Sequence, residues 1–164
     1  VDNTNRTEAR YWIDDFLRVR QRQDNYHNTH NTLAMCKKYV TKHLSKEFEV
    51  SKADQAELLN ETMKYFQEQE SFSMDDFSEK VIRQPEVVES FTRFRQEYEQ
   101  DRDIRIEDEF GISDSAVKKQ ARSYKSVIKL DRNFHIYVHG NRNLLEQGED
   151  EKGKFYKVYY QEEE

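Results

Sequence analysis

Two periodicities divide this chain. Upstream of Tyr124 apolar residues recur every three to four positions, the spacing of one helix face; downstream the spacing shortens to two, the period of a strand. In Phe134-His135-Ile136-Tyr137-Val138-His139 the apolar Phe134, Ile136 and Val138 alternate with polar-tipped residues, which predicts a half-buried strand. A second run, Val127-Ile128-Lys129-Leu130, is joined to it by Asp131-Arg132-Asn133, and a third, Phe155 to Tyr160, follows the turn-forming Glu151-Lys152-Gly153. Three such strands predict a small antiparallel sheet with one apolar face, which needs helices to cover it.

The helices are read in order. Thr7 to Arg22 is predicted helical, with Tyr11, Trp12, Phe16 and Val19 on its apolar side. Asp24-Asn25 interrupts, and Tyr26, His30, Leu33, Val40 and Leu44 carry a second helix to about Lys46. Ser51 with Asp54 resembles a capping box that opens a third, through Leu58, Leu59, Thr62 and Phe66. Ser73 is the expected N-cap of a short helix to Ile82, with Asp76 as its third residue and Phe72 and Phe77 as a hydrophobic staple. Pro85 suits the first turn of the next, whose inner face is Val87, Val88, Phe91, Phe94 and Tyr98. Ile104, Ile106, Phe110 and Ile112 leave residues 104–112 open between helix and strand, and a last helix is predicted from Ser113 to Tyr124. The expected fold is an α-rich α+β domain of five or six helices packed with a small C-terminal antiparallel β-sheet. Residues 1–112 form its helical region and 113–164 a helix plus three strands, together one compact unit.

Composition supports a folded chain. Apolar residues make up only 35% and charged residues 37%, but ten Phe, ten Tyr and one Trp supply the bulk that a core needs. No apolar run approaches the roughly 18 residues of a membrane span, and no secretory signal opens the chain, so a cytoplasmic protein without a membrane partner is expected. Cys36 is the only cysteine, which excludes a disulfide framework and suggests a small buried apolar group. Val1 stands where an initiator Met would, which suggests a piece of a longer protein.

Charge changes the picture more. The net −6 hides a segregation: residues 51–110 carry eight Lys/Arg against seventeen Asp/Glu, whereas Phe16–Lys46 carries seven against one and Ser113–Arg142 seven against two. An acidic middle between basic patches is a dipolar layout whose local field can hold a polyanion despite the overall sign. Arg18 and Arg22 fall four apart with Arg20 between them, and Lys38, Lys42 and Lys46 repeat the spacing; paired as a hairpin, the two helices would present phosphate-neutralising side chains. Lys118, Arg122, Lys125 and Lys129 would form a further basic stripe if the last helix ran that far, with Lys119 beside them. The competing reading is that these are ordinary solvated helix faces.

Other chemistry is thinner. Phe110-Gly111-Ile112-Ser113 followed by Ser115-Ala116-Val117-Lys118-Lys119 is a partial match to the turn and second helix of a helix-turn-helix. Glu107 stands where a small residue belongs and Gln120 where an apolar one does, so a capped surface helix is the alternative. His135 and His139 share one strand face, and His27 and His30 lie three apart on a helix, but neither pair has a third ligand in the pattern. No phosphate-binding glycine loop, nucleophile elbow or Cys/His pair is present, so no catalytic residue, metal, cofactor or small-molecule substrate is expected.

The run IKLDRNFHIYVHGNRNLLEQG from Ile128, the ending FYKVYYQEE, the stretch FGISDSAVKKQARSY and the opening NRTEARYWIDDFL together resemble the bacterial nucleoid-associated protein family, the NdpA-like group, over nearly the whole chain. The resemblance implies a cytoplasmic protein of the nucleoid, associated with double-stranded DNA and belonging to longer proteins with another region N-terminal to this one. The DNA is then contacted either by basic helix faces here or through that other region. In the second case this part would be a protein-protein interaction or dimerisation module, and a homo-oligomer.

Overall fold

The computed structural model describes residues 24–124, 127–139 and 142–163. Within them five helices carry three two-stranded antiparallel sheets, an α+β, helix-rich fold. The predicted helix from Thr7 to Arg22 lies outside the described residues.

Helix α1 (Asn25–Lys38) is the axis of the packing. Asp24, read from the sequence as an interruption, is its N-cap: the carboxylate accepts from the His27 amide at 2.9 Å. The helix continues through a π-helical turn (Tyr39–His43) and one last α turn (Leu44–Glu47), the wide turn closed by the Leu44 amide donating to the Tyr39 carbonyl. Its apolar periodicity understates its burial. Thr29 and Thr32 are wholly buried because each hydroxyl donates to the carbonyl four residues back, at 2.6 and 2.8 Å, so neither arrives in the core unpaired.

Helix α2 (Lys52–Glu68) opens on the expected capping box, with the Ser51 hydroxyl accepting from the Asp54 amide at 3.1 Å and the Asp54 carboxylate from the Ser51 amide at 2.9 Å. Strand β1 (Ser71–Ser73) leads into α3 (Met74–Phe77), which widens into a second π-helical turn (Ser78–Ile82). Here the expected cap is corrected. Ser73 occupies the N-cap position but its side chain makes no capping bond, because it belongs to a strand. The first helical amide, Met74, donates instead to the Asp108 carbonyl at 2.9 Å. The Asp76 carboxylate takes the Lys80 ammonium at 2.8 Å and the Tyr65 hydroxyl at 2.9 Å. These two partners hold the Asp76 carboxyl below its usual range, while burial and the same hydrogen bond push the Tyr65 phenol up to about 12.

Helix α4 (Pro85–Arg102) begins on Pro85 at its first position, buries Val87, Phe91, Phe94 and Tyr98, and stops where Asp103 turns left-handed at φ 53°. Residues 104–112, open in the sequence, run extended and then form strand β2 (Glu109–Gly111), paired with β1. They are latched to α4 by two side chains: Arg95 donates to the Ile106 carbonyl at 2.5 Å and the Asp108 carboxylate at 2.6 Å, and Glu99 accepts the Ile106 amide at 2.7 Å. Gly111 therefore lies in a strand, not in a turn between two helices, which removes the helix-turn-helix reading. A Cβ there would stand 2.7 Å from the end of the Asn25 side chain, which would have to shift, so glycine lets the strand lie close to the start of α1.

Helix α5 (Asp114–Ala121) ends three residues before Tyr124. The strands follow as two hairpins, β3 (Val127–Leu130) with β4 (Phe134–Tyr137) and β5 (Leu145–Asp150) with β6 (Gly153–Val158). The single three-stranded sheet is thus corrected. The third apolar run pairs with Leu145–Asp150, a segment whose Glu, Gln and Gly content hid its strand character, and each hairpin forms its own sheet. The hairpins meet around a minor core of Ile128, Leu145 and Ala53 of α2, with Ile136, Val138 and Tyr156 against it. Phe134, predicted on the buried face, is 66% exposed, because it sits at the turn end of β4 beyond that core.

The main core is aromatic. Phe72 of β1 lies within 4.8–6.1 Å, ring to ring, of Phe110, Phe66, Phe77 and Tyr65. Tyr39, also buried, reaches Phe91 and Phe94, and its hydroxyl donates to Ser90 at 3.0 Å. Cys36 is buried here as an inert apolar group, its thiol pushed far up by burial.

Candidate nucleic-acid interface

Three hydrogen bonds join α1 to the α5 segment. The Ser113 amide donates to the Thr29 hydroxyl at 3.0 Å, the Gln120 amide meets His30 Nδ1 at 2.8 Å, and the Tyr124 hydroxyl donates to the Leu33 carbonyl. They bring together the two stretches that the sequence marks as basic. Of the cations singled out there, Lys38, Lys42, Lys118, Lys119 and Arg122 are exposed on these elements, while Arg18, Arg22 and Lys125 lie outside the described residues. The continuous stripe from Lys118 to Lys129 is not formed: α5 ends at Ala121, and Lys129 belongs to β3.

The cations fall into two electrostatic classes. Four of the eight cations of the acidic middle are matched: Lys80 with Asp76, Arg83 with Glu61, Arg93 with Glu47 and Glu89, and Arg95 with Glu99 and Asp108, all at 2.6–3.5 Å. Among the described residues, Lys38, Lys42, Lys118, Lys119 and Arg122 make no ion pair with a carboxylate. Exposed pairs contribute little to stability, so this difference concerns where positive potential survives rather than what holds the fold.

Lys38 has a specific setting. Its ammonium lies 5.3 Å from the ring centre of Tyr98 and 5.9 Å from that of Phe94. The guanidinium of Arg102, the last residue of α4, lies 4.6 Å from the same Tyr98 ring. Arg102 was not singled out from the sequence, although its four-residue spacing from Tyr98 on one helix was the available signal. The rings fix both stems while leaving the charges unneutralised.

His30 reports the field at the other end. Burial, then the nearby Lys119, then His27 lower its pKa. A depressed histidine is neutral in the fold at pH values where the unfolded chain binds a proton, so folding stability drops as pH falls below the ordinary histidine value of about 6.5 and levels off below the folded pKa. The thermal midpoint should therefore decline on acidification through that window, and His30→Gln should flatten this part of the profile; an identical slope in the variant would remove His30 from the account. His135 and His139 are exposed on the β4 strand and its continuation, the latter stacked on Tyr137 at 6.3 Å. Among the described residues no group of three or more His, Cys, Asp or Glu is arranged to hold a metal ion, and no helix is long and apolar enough to cross a membrane.

Comparison with known proteins gives one result. A family model described as nucleoid-associated protein YejK matches residues 1–163. No curated protein and no solved structure matches the chain.

Proposed function

From a chain that belongs to the nucleoid-associated protein YejK family, we infer a non-catalytic protein that binds double-stranded DNA by neutralising phosphates with Lys38, Lys42, Lys118, Lys119 and Arg122, joined by Arg18, Arg22 and Lys125. The observation that carries this reading is that the described members of this set are exposed and make no ion pair with a carboxylate, whereas Lys80, Arg83, Arg93 and Arg95 of the acidic middle do. Such contacts hold DNA in register without reading its bases, so affinity depends on salt and hardly on sequence. The test is a titration of duplex DNA at increasing salt. Binding that weakens steeply as salt rises supports the mechanism; no binding at low salt, or binding indifferent to salt, overturns it.

A second reading is favoured by a separate observation. The large apolar side chains left exposed among the described residues sit in the C-terminal hairpins and the residues beside them: Phe134 66%, Tyr137 58%, Val158 53% and Tyr160 70%. Each hairpin also has unpaired strand edges, a template for a second copy. On this reading the hairpins dimerise the protein and DNA is contacted elsewhere. Light scattering should then give twice the chain mass, and Phe134→Ser with Val158→Ser should return it to a monomer; a monomer at high concentration dismisses the reading.

A further inference from the structure

Near the Lys42 end of the π-helical turn lies a cleft of about 280 Å³, walled by Thr41, by Lys52, Gln55, Ala56 and Leu59 of α2, and by Val127 and Lys129 of β3. The α2 residues share one helix face by their three- and four-residue spacing, and the two β3 residues share one strand face by their spacing of two. The walls carry two lysines and no carboxylate.

Gln55 is the unusual member. It is only 5% exposed, and its amide oxygen accepts from the Lys52 ammonium at 3.1 Å. Its amide nitrogen has no hydrogen-bond partner among the described residues. Side-chain polar atoms fully sealed from solvent all have partners, so this nitrogen is not sealed, and the cleft is the opening that its residue lines. A neutral donor open to a cleft whose walls carry two lysines and no carboxylate is a setting that suits an oxyanion acceptor. The space lies at the small end of ordinary small-molecule sites, roughly 300–1,000 Å³, and is ample for a single tetrahedral oxyanion.

We propose that this cleft binds one phosphate group, held by Lys52, Lys129 and the Gln55 amide, and that on the function inferred above the group is a phosphodiester of duplex DNA. Lys52 and Lys129 supply charge, and Gln55 supplies direction. The source of the phosphate rests on that function; the affinity of the cleft for the anion does not.

The test uses the full chain labelled for NMR and titrated with inorganic phosphate at constant ionic strength, alongside the duplex titration. Phosphate is expected to move the Gln55 side-chain amide and the residues around 52–56 and 127–129 first. Lys129→Gln should weaken phosphate at least fivefold and lower the salt slope of DNA binding by about one, whereas Lys80→Gln, outside the cleft, should change neither. Gln55→Glu, which keeps the size and adds a negative charge, should abolish phosphate binding in a protein whose spectrum remains folded. Phosphate binding with these losses but no effect of Lys129→Gln on DNA assigns the cleft to free phosphate and overturns the phosphodiester. The same phosphate result with no DNA bound at any salt keeps the cleft and overturns the inferred function. If phosphate leaves the cleft resonances unmoved, or Lys129→Gln binds it as well as the native chain, the cleft assignment falls while DNA binding through the helices stands.

Discussion

Replacing Lys38, Lys42, Lys118 and Lys119 together by glutamine should lower affinity for duplex DNA by roughly two to three orders of magnitude near 0.1 M salt and reduce the slope of log affinity against log salt by about three to four. Each ammonium that meets a phosphate releases close to one counterion, so the slope counts contacts and affinity sums them. The side chains are exposed and make no ion pair among the described residues, so the fold should tolerate their neutralisation with little change in melting temperature. The informative control replaces Lys80, Arg83 and Arg93, three cations already matched by carboxylates. Removing them leaves those carboxylates in place and makes the middle more acidic, yet should not lower the salt slope. A fourfold variant that binds like the native chain would transfer the DNA contact to other residues and leave these four as solvated side chains.

Phe72→Ala should cost about 3–5 kcal/mol, a large part of the roughly 5–15 kcal/mol that holds a domain of this kind together. Phe72 is 1% exposed and stands among four aromatic rings, two of them nearly parallel to it: Phe110 at 4.8 Å and Phe66 at 5.3 Å. Truncation opens a cavity between α2, α3 and the sequence-distant β2, which cannot close it without moving the β1–β2 pair. Chemical denaturation read by tyrosine fluorescence and by circular dichroism should show the midpoint falling for both probes. Phe72→Leu, which keeps most of the volume, should lose much less. A loss below about 1 kcal/mol for the alanine variant would mean that the cluster repacks and that stability resides mainly elsewhere.

Much of the fold was legible because local rules and burial agreed. The Ser51–Asp54 box, Pro85 at the head of α4 and the pairing of Val127–Leu130 with Phe134–Tyr137 follow from caps, fixed φ and period-two alternation. Where they disagreed, tertiary contacts won. Ser73 meets every local criterion for a cap, but the Asp108 carbonyl, just before strand β2, takes the first amide of the helix. Gly111 reads as a turn in a DNA-binding motif, and pairing with Ser71 makes it a strand residue. Thr29 and Thr32 count as polar in any periodicity, yet are among the most buried side chains because their own helix satisfies them.

The candidate site divides in the same way. Sequence alone determined much of the inventory: most of the helices and the first C-terminal hairpin, how charge is segregated along the chain, and that Lys38 with Lys42 and Lys118 with Arg122 fall at helical spacing. It also carried the likeness to the nucleoid-associated family. Only the tertiary structure decided which cations face a carboxylate and which do not. An ion pair between Arg93 and Glu47, or the hold of Tyr98 on Lys38, joins residues tens of positions apart, and no periodicity encodes such a meeting. Electrostatic matching depends on distance in space, steeply and over a few ångströms, and that distance is fixed only when α1, α4 and α5 have packed.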